Sequence, residues 1–220
     1  MTNRPTVALF DLDGTLSRRD TLMPFLLGYA RRRPRDWWRL GLAPLALGDY
    51  LLRHHDRGRL KSRLIRIVMG GERREAVERW AEEYVRSLMS RGALRREALE
   101  CLARHRDAGS VLILLSASPD LYVPRIGAAL GFARTICTGI KWHGDRLDGA
   151  LGTRNCHGVE KQRWLERLRR LYPGHEFIAY GNARSDLAHL RHADRGVLVN
   201  AGRSTRRAAL ALGIAVERWR

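Results

Sequence analysis

The chain has 220 residues, 45% hydrophobic and 29% charged, with 41 Lys+Arg against 23 Asp+Glu for a formal charge of +18. That is enough chain and apolar content for one large domain or a domain with an insert, and it excludes a low-complexity or intrinsically disordered protein. The charge favours anionic partners (phosphorylated substrates, anionic lipid headgroups or nucleic acid), unless the arginines are merely scattered over a solvated surface.

Cys101, Cys137 and Cys156 are scattered with no CxxC pair. This pattern excludes a disulfide framework or zinc site and predicts reduced thiols in a cytoplasmic protein. Residues 1–5 are polar, and no signal peptide is expected.

Val7 to Phe10 form a short apolar run typical of a buried strand. It stops at Asp11 and Asp13, followed by Gly14 and Thr15. Side chains alternate along a strand, so the two acids would point the same way, and the glycine allows a turn. Residues 17–105 read as helical throughout. A helix over 21–31 follows Asp20, a plausible N-cap, with Pro24 in its first turn. Arg31 to Arg35 interrupt it. Trp37 to Leu47 is too short to span a bilayer, which takes about 20 apolar residues. It fits an interfacial segment lying on a membrane, and equally a buried hairpin between cap helices.

Leu60, Leu64, Ile67 and Val68 follow helical spacing up to Gly70-Gly71. Val77, Trp80, Ala81, Tyr84, Val85 and Leu88 form a clean core-facing stripe. Leu94, Ala98, Cys101 and Leu102 continue with a fourth such helix. From Ser110 the pattern changes to strands alternating with helices. Strands are expected at 111–115, ending in Ser116 and Ser118, and at 134–138. A hairpin is expected over 140–151, around His143-Gly144-Asp145. Gly158 opens an amphipathic helix through Leu171. A strand at 177–180 ends in Gly181-Asn182 with Asp186 close behind, and a strand at 196–199 and a last helix and strand near Val216 close the chain. Alternation of this kind predicts an α/β fold with a parallel sheet between helices: a discontinuous core, 1–16 plus 106–220, with a helical cap, 17–105, inserted.

In such a sheet the strand ends lie along one edge, so Asp11/Asp13, Ser116/Ser118 and Asn182/Asp186 can converge with Lys161, one of only three lysines. A carboxylate can attack phosphorus, a hard oxygen site can hold Mg²⁺, and a lysine and a hydroxyl can hold phosphoryl oxygens. The order Asp11-Leu12-Asp13-Gly14-Thr15, Ser116, Gly158-Val159-Glu160-Lys161 and Gly181-Asn182 with Asp186 resembles the haloacid dehalogenase superfamily, in its phosphoserine-phosphatase-like branch.

The resemblance implies a three-layer Rossmann-like core, an all-helical cap and a Mg²⁺-dependent phosphomonoesterase working through an aspartyl-phosphate. It implies Asp11 as nucleophile and metal ligand, and Asp13 as acid–base group with its carbonyl on the metal. Ser116 and Lys161 would hold phosphate, and Asn182 and Asp186 would complete the metal site. Asn182 stands where most relatives carry Asp, which removes one negative charge. Asp20 matches a substrate-binding acid, with Ser118 beside the phosphate. Lys61 or Arg63 could meet a substrate carboxylate, although each also reads as part of a solvated helix face.

The expected partner is a small phosphorylated substrate or an anionic lipid headgroup. Some lipid-phosphate phosphatases of this kind carry an apolar cap segment, and here Trp37–Leu47 would be a peripheral membrane contact. A catalytically weakened basic binding protein is the reading from another class, and no nucleic-acid motif is visible. His54-His55 and the pair His189/His192 lack a third ligand and read as structural or solvated.

Overall fold

The computed structural model describes residues 4–52 and 56–220; His54 and His55 lie outside them. Six strands form one parallel sheet: β1 (Thr6–Phe10), β2 (Val111–Pro119), β3 (Arg134–Thr138), β6 (Glu176–Gly181), β7 (Arg195–Val199) and β8 (Ala215–Glu217). Their order is β3-β2-β1-β6-β7-β8. The chain runs outward from β1 to one side, then returns and runs outward on the other. The order therefore reverses at β1, and the carboxyl end of β1 is the topological switch point at which open α/β sheets bind ligands.

The continuous apolar runs of the strands follow from burial on both faces. Ala8, Phe10, Leu112, Leu114, Ile178 and Tyr180 enter one core cluster. Their neighbours Val7, Leu9, Ile113, Leu115, Phe177 and Ala179 enter another, against Leu165, Leu168, Leu187, Leu190 and Ala209. The latter come from α7 (Val159–Leu171), α8 (Leu187–His192) and α9 (Arg203–Ala211), while α6 (Val123–Ala129) joins β2 to β3.

Between β1 and β2 lie α1 (Leu22–Arg31), a 3-10 segment (Pro34–Leu42), α2 (Ala43–Leu52), α3 (Arg57–Met69), α4 (Arg74–Ser90) and α5 (Arg96–Asp107). The two crossings into and out of this helical stretch are paired, with Arg18 N–H on Ala93 O and Arg95 N–H on Leu16 O, both 2.9 Å. The stripe expected on α4 is buried in full. Phe25 of α1 meets Trp80, Tyr84 and Tyr122 with ring centroids 5.9, 5.2 and 4.6 Å away. These rings belong to the same apolar cluster as Phe10 and Leu114 of the sheet, so the helices share a core with the strands. The hairpin β4 (Ile140–His143) and β5 (Arg146–Leu151) is antiparallel and leans on α3 and the turn after it, where Gly71 N–H meets Leu147 O at 2.8 Å.

Two expectations are corrected. On α3 the buried face is Gly58, Lys61, Ile65 and Met69, one position round from the leucine stripe. Leu60 and Leu64 are only partly buried because they line a cleft. The Trp37–Leu47 stretch is not a buried hairpin: it is the 3-10 segment and the start of α2, with Trp37, Trp38 and Leu45 exposed by 53%, 71% and 69%. The Trp37 indole N–H is tied to Ala30 O at 2.8 Å.

Truncating a ring in the shared core costs about 3–5 kcal/mol. Phe25→Ala is expected to lower stability by that amount in a single denaturant transition. A separate transition for residues 17–105 would show that the helices have a core of their own.

Candidate active site

β1 runs into Asp11, whose N–H still pairs with Tyr180 O at 3.0 Å. A single wide turn follows over Leu12–Leu16, closed by Ser17 N–H on Leu12 O at 2.9 Å. Gly14 holds φ +82°, and a Cβ built there would overlap the side-chain amide of Asn182. Only glycine satisfies both constraints, which explains the Asp-x-Asp-Gly order at this turn.

The turn delivers both acids to one cleft of about 300 Å³, lined also by Asp20, Lys61, Ser118, Asn155, His157, Lys161, Asn182 and Asp186. Lys161, in the first turn of α7, places its ammonium 2.6 Å from Asp11 Oδ1 and 2.9 Å from Asp186 Oδ1. All three are buried. Asp186 Oδ2 also accepts the N–H groups of Asn182 and Ala183, at 3.1 and 2.9 Å. Gly181 allows that approach, since a Cβ there would lie 2.8 Å from Asp186 Cβ.

One ammonium faces more than one carboxylate, and the titrations reflect the imbalance. Burial would push Asp186 up, but Lys161, His189 and the Ala183 N–H outweigh it and hold it down to about 2. Asp11 is pushed up to about 7 by burial, with Lys161 opposing and Asp186 and Asp13 adding to the rise. Burial alone would lower Lys161, but the two carboxylates keep it above its ordinary value. Oxygen donors carrying surplus negative charge suit a hard divalent cation. Asp11, Asp186, the neutral Asn182 amide and the Asp13 carbonyl fit Mg²⁺ on that ground.

Asp13 is held differently. Its Oδ1 accepts Thr21 N–H and Thr21 Oγ–H, both at 2.7 Å, and its Oδ2 accepts Ser118 Oγ–H at 2.6 Å. Burial raises its pKa against the pull of those hydrogen bonds. Both hydroxyls can turn and accept once Asp13 carries a proton, and Thr21 Oγ then has the Tyr122 hydroxyl at 2.8 Å.

Of the expected residues, Ser116 is fully buried, its Oγ accepting Ser118 N–H at 3.0 Å, and Ser118 is the one that lines the cleft. Asp20, one residue before the α1 N-cap Thr21, accepts Met23 N–H at 3.0 Å and stands exposed at the rim. Lys61 corrects the solvated-face reading. It is buried, bonded to Ala117 O and, at 2.7 Å, to Asn155 Oδ1, and burial lowers it to about 8. Arg63 is exposed on the outer face of α3. Thr21, Asn155 and Thr15, whose Oγ donates to Asp11 Oδ2 at 3.1 Å, were not singled out in the sequence. Only Thr15 had a signal there, its place after Asp-Gly. His189 is buried with Nδ1 4.0 Å from Asp186 Oδ1, while His192 is exposed. Among the described residues no group of three His, Cys, Asp or Glu forms a metal cluster.

The family model of the haloacid dehalogenase-like hydrolases matches residues 8–191. This chain belongs to that family. Protein CicA of Caulobacter vibrioides is 31% identical over 199 residues, which cover 88% of this chain and 86% of CicA. A protein of unknown function from Bordetella pertussis Tohama I has a similar structure, with TM-score 0.79, 21% identity, and 97% and 98% of the two chains covered. A substrate-bound phosphoserine phosphatase aligns with TM-score 0.68 and 16% identity over 98% and 94% of the two chains. The haloacid dehalogenase-like fold thus extends over the helices between β1 and β2 as well as the sheet.

Burial lowers His189 to about 3 from 6.5. Between those values the unfolded chain takes up a proton that the folded hydrolase refuses. The contribution is complete above about pH 6.5 and is lost as pH falls, by roughly 1.4 kcal/mol per pH unit at full slope. His189→Leu is expected to flatten the acid limb of stability by one proton, as measured by denaturant unfolding between about pH 4 and 7.

Proposed function

We propose that this hydrolase is a Mg²⁺-dependent phosphomonoester phosphatase in which Asp11 is the nucleophile and Asp13 the acid–base group. The observation that carries the reading is the pair of unlike environments two residues apart: Asp11 on a buried ammonium, Asp13 on two hydroxyls and an N–H. Asp11 attacks phosphorus in line, the ester P–O bond breaks, and the leaving oxygen takes its proton from Asp13. Water then attacks the aspartyl-phosphate, giving its proton to Asp13 and releasing phosphate. Lys161 offsets charge on Asp11 and the phosphoryl oxygens, with Ser118 beside them.

Asp11, Asp186, Asn182 and the Asp13 carbonyl would hold Mg²⁺, which would supply further charge neutralisation on the phosphoryl group. Residues 17–105 act as the cap over this site, with Thr21 as its link to Asp13. The substrate is a small phosphomonoester. Leu22, Met23, Leu60 and Leu64 line the cleft, and Lys61 is already committed to Ala117 and Asn155. Both features favour an apolar leaving group over an amino acid.

A second reading, a lipid-phosphate phosphatase at a membrane surface, is favoured by the exposed Trp37, Trp38, Leu42, Leu45 and Leu47 close to the exposed Arg31 and Arg35. Among the described residues no helix is long and apolar enough to cross a membrane, so contact would be interfacial.

Aryl-phosphate turnover is expected to require Mg²⁺ and to vanish in Asp11→Asn. That variant should fold at least as stably as the wild type, because it removes surplus buried charge. Asn182→Asp is expected to lower the half-saturating Mg²⁺ concentration by about tenfold, near 1.4 kcal/mol; an unchanged requirement would count against a cation at Asn182. Flotation with anionic vesicles is expected to retain the wild type and to lose Trp37→Ser/Trp38→Ser, and failure of the wild type to float would remove the lipid reading alone.

A further inference from the structure

A larger cavity, about 830 Å³, opens at the carboxyl ends of β7 and β8, away from the catalytic carboxylates, and its size is that of a ligand site. Arg95, Asn200, Arg203, Arg206, Glu217 and Arg218 line it. Four guanidinium groups face one carboxylate, and Glu217 already accepts the Trp219 indole N–H at 2.8 Å. Arg203, Arg206 and Arg218 are exposed and, among the described residues, have no ion-pair partner.

Two lining residues hold solvent-shielded donors with no partner: Arg95 Nε and Asn200 Nδ2. A shielded donor left without a partner is costly. The surrounding contacts keep them where they are. Arg95 gives Nη1 to Trp219 O at 3.1 Å and Nη2 to Arg18 O at 3.5 Å. Asn200, the one non-glycine residue with positive φ among those described, uses its Oδ1 for Trp219 N–H at 2.9 Å, which directs the amide nitrogen elsewhere. α9 begins at Gly202, which has no side chain to cap it, so its first N–H groups also stay open beside the cavity. Burial and the nearby Arg18 lower the pKa of Arg95, with Glu97 opposing.

We propose that this cavity binds a small polyanion carrying two or more phosphoryl groups, at a site separate from the catalytic cleft. The guanidinium groups that line the cavity come from α9, from the tail after β8 and from the crossing at Arg95, so a ligand with more than one phosphoryl group has more of them to meet. Planar guanidinium forks and open N–H groups are the donors that phosphoryl oxygens take.

The test is calorimetric titration of the full chain with tripolyphosphate and with orthophosphate, without Mg²⁺ and in the Asp11→Asn background so that neither probe is consumed. One-to-one binding of tripolyphosphate is expected, at least tenfold tighter than orthophosphate. Arg203→Ala/Arg206→Ala should weaken it at least tenfold. Arg170→Ala/Arg191→Ala, which removes the same charge from α7 and α8, should leave it within about twofold. Equal weakening by both pairs would reduce the binding to general attraction by a basic surface and overturn the site. Equal affinity for the two probes would overturn the polyphosphate assignment. In the Asp11-containing protein, Arg203→Ala/Arg206→Ala is expected to keep full aryl-phosphate turnover.

Discussion

The structure depends on one buried ammonium. Lys161 lies between Asp11 and Asp186, and those three residues come from β1, α7 and the loop after β6. A carboxylate shielded from water is costly unless it is paired and hydrogen-bonded. The ion pairs therefore fix how the helix start and the two strand ends meet, and they leave the site short of positive charge.

The sheet places these groups at its switch point, and glycine makes their approach possible. Gly14 lets the first loop lie against Asn182, and Gly181 lets Asp186 lie against the end of β6. The parallel register carries the acids of β1 and the residues after β2 and β6 to one edge. The other face of the Asp11–Asp13 turn belongs to the helical stretch. Thr21 at its entry holds Asp13, and Tyr84 and Tyr122 hold Thr21 in turn. A movement of these helices relative to the sheet would thus be felt at Asp13 before it reached Asp11.

Positive charge is used unevenly. Arg33 is engaged by Asp36 and Glu72, and Arg66 by Asp148, pairs that contribute little to stability at a solvated surface. Among the described residues Arg203, Arg206 and Arg218 at the β7–β8 cavity have no ion-pair partner, and the arginines near Trp37 and Trp38 border an exposed apolar patch. Net charge alone distinguishes neither place from the rest of the surface; what separates them is concavity in the first and neighbouring hydrocarbon in the second.

The sequence alone determined the strands, the α4 stripe, the hairpin over 140–151 and the convergence of Asp11, Asp13, Lys161, Asn182 and Asp186. Each rests on a local signal: a period, a turn residue, or polar groups at the end of an apolar run. Only the tertiary structure decided that Lys61 faces inward, that Ser118 rather than Ser116 lines the cleft, that Thr21 and Asn155 take part, and that Trp37 and Trp38 face outward. Lys61 stands 94 residues from Asn155 and Thr21 stands 101 from Tyr122. Such contacts leave no periodic trace in the chain, because they depend on how finished elements pack. On α3 a leucine row that reads as core lines the cleft instead, and hydrophobic pattern by itself does not distinguish a protein interior from an apolar wall awaiting a ligand.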